Sequence, residues 1–191
     1  MKPQITKKII SIGVKKLSKY AELPEYGTTQ SACFDLKACL KAESTADKYV
    51  DCVRKPKVFD AENSVRDCRE FLHPDEPFGF VINAGYRFLI PTGLIFDIPE
   101  GYSIRLHPRS GSALKFGITL GNAEGVVDSD YTNETYVMIQ NTSKVHFYIN
   151  HGDRICQGEL VKNQPVKFID IGEQEIGQKS DRVGGFGSTG Q

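Results

Sequence analysis

The residues of this chain that could do chemistry fall into short runs, each joining a charged side chain to hydroxyls, amides or glycines. One run is His107-Pro108-Arg109-Ser110-Gly111-Ser112-Ala113-Leu114-Lys115. Pro108 fixes an extended entry, Gly111 lets the backbone approach a ligand, and Ser110 sets a hydroxyl beside a guanidinium. An arginine fork, a hydroxyl and exposed backbone N–H groups together make a phosphate cradle. A surface turn with a chance Arg-Ser pair is the other reading, since Walker spacing is absent.

A second run is Gly121-Asn122-Ala123-Glu124-Gly125-Val126-Val127-Asp128-Ser129-Asp130-Tyr131. Val126 and Val127 suit a strand, at whose end Asp128 could take a proton from water beside a bound triphosphate. Asn122 carries both a donor and an acceptor and could read the edge of a base. An Asp-rich hairpin turn accounts for the same residues without any chemistry. Asp35, set between Phe34 and Leu36, is an acid in an apolar strand that could be structural or could hold a metal's water shell. Gly152-Asp153-Arg154-Ile155-Cys156-Gln157 runs from a turn into a strand, where Gln157 could hydrogen-bond phosphate.

Near the C-terminus, Gly185-x-Gly187-x-x-Gly190 matches a dinucleotide fingerprint in form only, because the strand–helix context and downstream acid are missing. With Arg182 before it and Phe186 within it, the segment reads as a lid, ring on base and guanidinium on phosphate, or as a disordered terminus. His73, His107, His146 and His151 show no ligand spacing and no evident acid partner, and are read as surface or packing residues.

The elements that must position these groups are mostly strands. Segments Phe88 to Pro91, Gly93 to Ile98, Tyr102 to Leu106, Tyr136 to Asn141 and His146 to Asn150 are short and rich in β-branched and aromatic residues. Turn residues punctuate them, the pattern of an antiparallel sandwich, jelly roll or barrel. Ala32 to Ala38 reads as a further strand, Ile5 to Leu17 as an edge strand, and Leu23 to Gly27 as a turn. Residues 41 to 78 hold 16 acidic or basic side chains in 38 positions and three prolines, against a usual quarter charged. With weak helical periodicity over Ala61 to Leu72, this stretch is expected to be an insertion: a surface excursion with its own helix, or a mobile loop. Residues 172 to 191 are expected to form a flexible glycine-rich tail.

Composition closes off several classes. At 191 residues, 39% hydrophobic and with a net charge of zero, the chain suits one domain, without the basic field that holds duplex nucleic acid. No stretch nears the ~20 apolar residues of a membrane span, and Met1 to Leu17 lacks a signal-type apolar run. Five cysteines, an odd number with no C-x-x-C pair, suit reduced thiols in a cytoplasmic setting. Asn133-Glu134-Thr135 and Asn141-Thr142-Ser143 are then accidental sequons.

Taken in order, the runs resemble the five motifs of the trimeric dUTPase family. Ala32 to Ala38 is similar to the first, Pro108 to Lys115 to the second, Asn122 to Tyr131 to the third, Gly152 to Gln157 to the fourth and Gly184 to Gly190 to the fifth. The resemblance spans nearly all of the chain outside residues 41 to 78. It implies an all-β, antiparallel jelly-roll-like (β-clip) subunit over residues 1 to 191, assembled as a homotrimer whose three sites each draw on all three chains. It implies hydrolysis of dUTP to dUMP and pyrophosphate with Mg²⁺, Asp128 being the catalytic base that activates the attacking water. Asn122, Val126 and Val127 would hold uracil, and Tyr131 would lie under the deoxyribose. Arg109, Ser110, Gly111 and Gln157 would line the phosphates, Asp35 would reach Mg²⁺ through water, and Arg182, Phe186 and Gly187 would come from the tail. Cys33 stands where the family has glycine, Ser112 where it has leucine and Asn133 where it has glycine, and Arg182 lies one residue closer to Phe186 than usual. Residues 41 to 78 have no counterpart in typical members and read as tolerated surface decoration or, alternatively, as a partner surface. A dCTP deaminase shares the fold but needs a catalytic acid over the base; a nucleotide-binding regulator is the non-catalytic rival.

Overall fold

Period-two alternation builds most of this molecule. In Tyr136–Asn141 the side chains of Val137, Ile139 and Asn141 are buried while their neighbours are half-exposed, and in Leu94–Asp97 Leu94 and Phe96 point inward. Strands so patterned bury one face and leave the other wet. The computed structural model describes residues 9–41, 57–60, 62, 64–66, 71–73, 75, 78–177 and 179. Among these lie fourteen strands and one helix: β1 Gly13–Lys16, β2 Glu25–Tyr26, β3 Phe34–Lys37, β4 Lys57–Phe59, β5 Val65–Arg66, β6 Gly79–Ile82, β7 Arg87–Pro91, β8 Leu94–Asp97, β9 Tyr102–His107, α1 Ser110–Phe116, β10 Ile118–Leu120, β11 Gly125–Asp128, β12 Tyr136–Asn141, β13 Phe147–Asn150 and β14 Arg154–Lys162.

Two five-stranded antiparallel sheets, ordered β10-β12-β7-β4-β5 and β11-β9-β14-β3-β2, are joined by the pairs β1-β8 and β13-β6. One apolar core takes Phe88, Ile90, Val137 and Ile139 from the first sheet and Leu36, Ile104, Leu106 and Cys156 from the second. This is the all-β, antiparallel jelly-roll-like architecture read from the sequence. Buried Asn141 fastens one end: its Nδ2 donates to the Ile82 and Val145 carbonyls at 2.8 Å each, and its Oδ1 accepts from Ser143. A buried amide so satisfied costs little and fixes the β12–β13 connection. No helix among the described residues is long and apolar enough to cross a membrane.

Several expectations are corrected. Residues 5–8 lie outside the described ones; among the described residues of Ile5 to Leu17, Gly13–Lys16 is the strand, paired with β8. The turn at Leu23 to Gly27 contains a short strand, since Glu25 and Tyr26 pair with Asp35 and Phe34. Within 41–78 the periodicity over Ala61 to Leu72 does not make a helix at Val65–Arg66, which pair with β4. β4 in turn pairs with β7, and Val58 and Phe71 are buried in the core. The described part of this charged stretch is thus woven into a sheet, where burial of Val58 is favourable.

Candidate active site

β11 connects the two sheets to the site. Its chain neighbours β10 and β12 pair with each other in the first sheet, whereas β11 pairs with β9 at the edge of the second. The hairpin reading of residues 121–131 is therefore replaced by a crossover. The chain makes it in a tight turn: the N–H of Ala123 donates to Leu120 and that of Glu124 to Asn122. Ala123 takes φ 60°, a left-handed conformation that is costly for a residue with a Cβ. At the exit, a Cβ on Gly125 would lie 3.0 Å from Leu106 Cβ, so a larger residue there would crowd the buried Leu106.

Along this edge lies a cavity of about 380 Å³, walled by Asn122, Val126, Val127 and Tyr131 on one side and by Leu89, Tyr136, Met138 and Lys57 among others. That volume suits a nucleoside-sized ligand. Val126 is 47% and Tyr131 41% exposed, so two large apolar groups are left facing solvent. Tyr131 is held by its N–H on the Asp128 carbonyl and its hydroxyl on the Glu134 carbonyl, both 3.1 Å. The Glu134 carboxylate accepts from Gly93 N–H at 2.7 Å. Asp128 ends β11 with its side chain exposed, and Asp130 lies past the strand, so the two carboxylates do not share a regular strand face.

A second group gathers where β3, β14 and the end of β9 meet. Asp35, 9% exposed, lies between two guanidinium groups: Arg109 Nε is 3.3 Å from Oδ1 and Arg154 donates to Oδ2 at 3.3 Å. Gln157 is opposite both Asp35 and His107. A register shift between Arg154 and Cys156 turns the Arg154 side chain toward Asp35, as bulges re-aim side chains. Asp35 Oδ1 and Arg109 Nε, the two atoms of this ion pair, are buried and make no hydrogen bond. Burial pushes the thiol of neighbouring Cys156 well up, and the Asp35 charge adds to this.

Arg109 is extended, with φ −81° and ψ 126°, and precedes α1, which ends at Gly117 in a left-handed cap. The sequence reading gave no helix here, only a phosphate cradle or a surface turn. Ser110 and Gly111 form its first turn, no side chain caps it, and space is open around Gly111. The two groups are separated by β9. Asp128 pairs with Ser103 at one end and Gln157 with His107 at the other, four residues apart and so about 13 Å. Arg182, Phe186 and Gly187 lie outside the described residues.

One residue group was missed. His107 has acid partners after all: Nδ1 is 3.8 Å from Glu124 and Nε2 is 3.5 Å from Glu159. Cys33 completes the cluster. Only pairing of strands distant in sequence brings these residues together, so no spacing could have signalled it.

Fold and site together define an all-β protein with a nucleoside-sized cavity on a sheet edge and a separate arginine–carboxylate cluster. A family model described as dUTPase matches residues 77–190. The chain is 34% identical over 172 residues to the deoxyuridine 5'-triphosphate nucleotidohydrolase of Neorickettsia sennetsu, covering 90% of each. It is 47% identical over 105 residues to that of Finegoldia magna, covering 54% of this chain and 71% of that one. Among solved structures, a mutant Staphylococcus bacteriophage 80alpha dUTPase with dUpNHpp superposes with a TM-score of 0.68 at 19% identity, covering 95% of this chain and 99% of the other. The chain belongs to the dUTPase family.

Proposed function

We propose that this protein hydrolyses dUTP to dUMP and pyrophosphate by attack of water at the α-phosphorus, limiting uracil in DNA and supplying dUMP for dTMP synthesis. The observation that carries this reading is the cavity on edge strand β11 with Asp128 at the strand's end. An edge strand offers unpaired backbone N–H and C=O groups. Uracil's imide edge alternates acceptor, donor and acceptor, so the backbone at Val126 and Val127 can pair with it much as another strand would, while Asn122 supplies a further amide. Tyr131, fixed at both ends, lies under the sugar and leaves no room for a 2′-hydroxyl. Asp128 accepts the proton of the attacking water, general-base work worth ~10²–10⁴-fold.

The phosphates fall to Arg109, Ser110, Gly111 and Gln157. These lie about 13 Å along β9 from Asp128, which is why we assign the phosphate groups of one site to a second copy of the chain, within a homotrimer. The tail residues Arg182, Phe186 and Gly187 are assigned to closing the site, ring over base and guanidinium on phosphate. Asp35 offers a carboxylate whose Oδ1 makes no hydrogen bond and is held only by the Arg109 ion pair, and one carboxylate fits Mg²⁺, which keeps several waters and takes one or two carboxylates plus substrate phosphates. Asp35 would hold it through water, and bound Mg²⁺ would offset charge developing on the phosphate oxygens. The segment 41–78 is assigned a partner-contacting role only in its charged outer part, since Val58 and Phe71 are core.

Pyrophosphate release measured on dUTP, dCTP, dTTP and UTP tests the proposal. It requires release from dUTP well above the other three. Ammonia from dCTP, or dUTP binding without pyrophosphate release in Mg²⁺, contradicts it.

A further inference from the structure

Cys33 immediately precedes β3, His107 ends β9 and Glu159 lies in β14, and their Sγ, ring nitrogen and carboxylate oxygen all lie within 4.8 Å of one another. The register accounts for this: Phe34 pairs with Gly158 across β3 and β14, so Cys33 comes opposite Glu159, and His107 lies on β9 diagonally beyond. His107 Nε2 is buried and has no hydrogen-bond partner, although Glu159 Oε2 is 3.5 Å away. We propose that these three side chains form a binding site for a divalent transition ion of the Zn²⁺ class, separate from the Mg²⁺ that accompanies the nucleotide.

A thiolate, an imidazole and a carboxylate are the donor types such an ion selects, whereas Mg²⁺ favours oxygen alone. Bond lengths of ~2.0–2.3 Å in a tetrahedral site put neighbouring ligand atoms roughly 3.3–3.8 Å apart. The His107–Glu159 separation already falls in that range, and the remaining atoms need only rotamer adjustments of about 1 Å. Three protein ligands leave the fourth position to water. The outer shell is present too. Glu124 Oε1 lies 3.8 Å from His107 Nδ1, where a carboxylate can take the second ring proton and fix the tautomer that leaves Nε2 free for metal. Arg105, 3.6 Å from Glu124, anchors that carboxylate. Binding displaces the Cys33 proton to solvent. Since His107 leads directly through Pro108 to Arg109, an ion here would stiffen the base of the phosphate-binding turn.

The test is a titration of the full-length, reduced, metal-stripped protein with Co²⁺, whose bond to a thiolate gives a charge-transfer absorption band. The band should appear at one ion per chain, be suppressed by Zn²⁺ and vanish in Cys33→Ser. Glu124→Gln should retain the band while weakening Co²⁺ binding by ~10–100-fold. Where Cys33→Ser fails to fold, His107→Ala replaces it and should weaken Co²⁺ binding at least tenfold. Absence of the band in the unmodified protein, its persistence in Cys33→Ser, or unchanged affinity in His107→Ala overturns the proposal.

Discussion

Co-expression of Asp128→Asn with Arg109→Gln asks whether one site is built from two chains. In a single chain Asp128 pairs with Ser103 and Gln157 with His107, which separates base and phosphate groups by about 13 Å of strand, with Arg109 a further two residues on. If a site takes Asp128 from one copy and Arg109 from its neighbour, it is intact only where an Arg109→Gln chain supplies the first and an Asp128→Asn chain the second. With equal amounts and random assembly that is about one site in four, the heterologous arrangement expected of a closed ring. Each variant alone should have only residual activity, so recovery to roughly a quarter of the unmodified rate per chain stands well above background. The two variants carry different affinity tags, used only to verify equal incorporation, and pyrophosphate release from dUTP is followed on the unfractionated pool of oligomers. Recovery no greater than the mean of the two parents would refute the shared-site reasoning, because it would mean that Asp128 and Arg109 of the same chain serve the same substrate.

Other consequences concern packing, selectivity and pH. Gly158→Ala would place a Cβ 2.3 Å from Phe34 Cε2 and 2.6 Å from Cζ, against a buried ring that packs edge-on with the exposed Tyr26; overpacking of this kind costs about 1–3 kcal/mol, read as a lowered thermal midpoint. Tyr131→Ala should narrow the preference for dUTP over UTP by about tenfold or more, seen in the ratio of kcat/KM values. His151, which accepts the Leu40 N–H at 3.2 Å, is held below its ordinary value of 6.5 by burial, with Lys41 contributing. The unfolded chain therefore takes up the proton more readily, so this group's contribution is present above pH 6.5 and lost as pH falls below it. Urea midpoints across that interval should fall less steeply in His151→Gln.

What was legible in the sequence follows from the range of the interactions involved. β9 and β12 alternate over six residues each, and such a local signal survives in sequence because one face of each strand meets the same core. Asp128, Val126, Val127 and Asn122 were readable together because they share one run of chain; Asn122, Val126 and Val127 line one cavity, and Asp128 ends the same strand. β4 was not readable. Three residues, Lys57 to Phe59, carry no period, and their pairing with β7 depends on residues about thirty positions away. Helix α1 was hidden for a different reason: Gly111 and Ser112 weaken its propensity, though Gly117, its left-handed cap, was a usable stop signal. The Asp35–Arg109–Arg154 and Cys33–His107–Glu159 groups exist only because β3, β14 and β9 lie side by side.

Kinetics of Asp128→Asn set beside the unmodified protein, on dUTP with Mg²⁺, bear most directly on the catalytic assignment. The substitution keeps shape and removes only the capacity to take a proton, so kcat should drop by ~10²–10⁴-fold with KM changed little. A variant that retains kcat within about threefold would show that the attacking water is activated elsewhere.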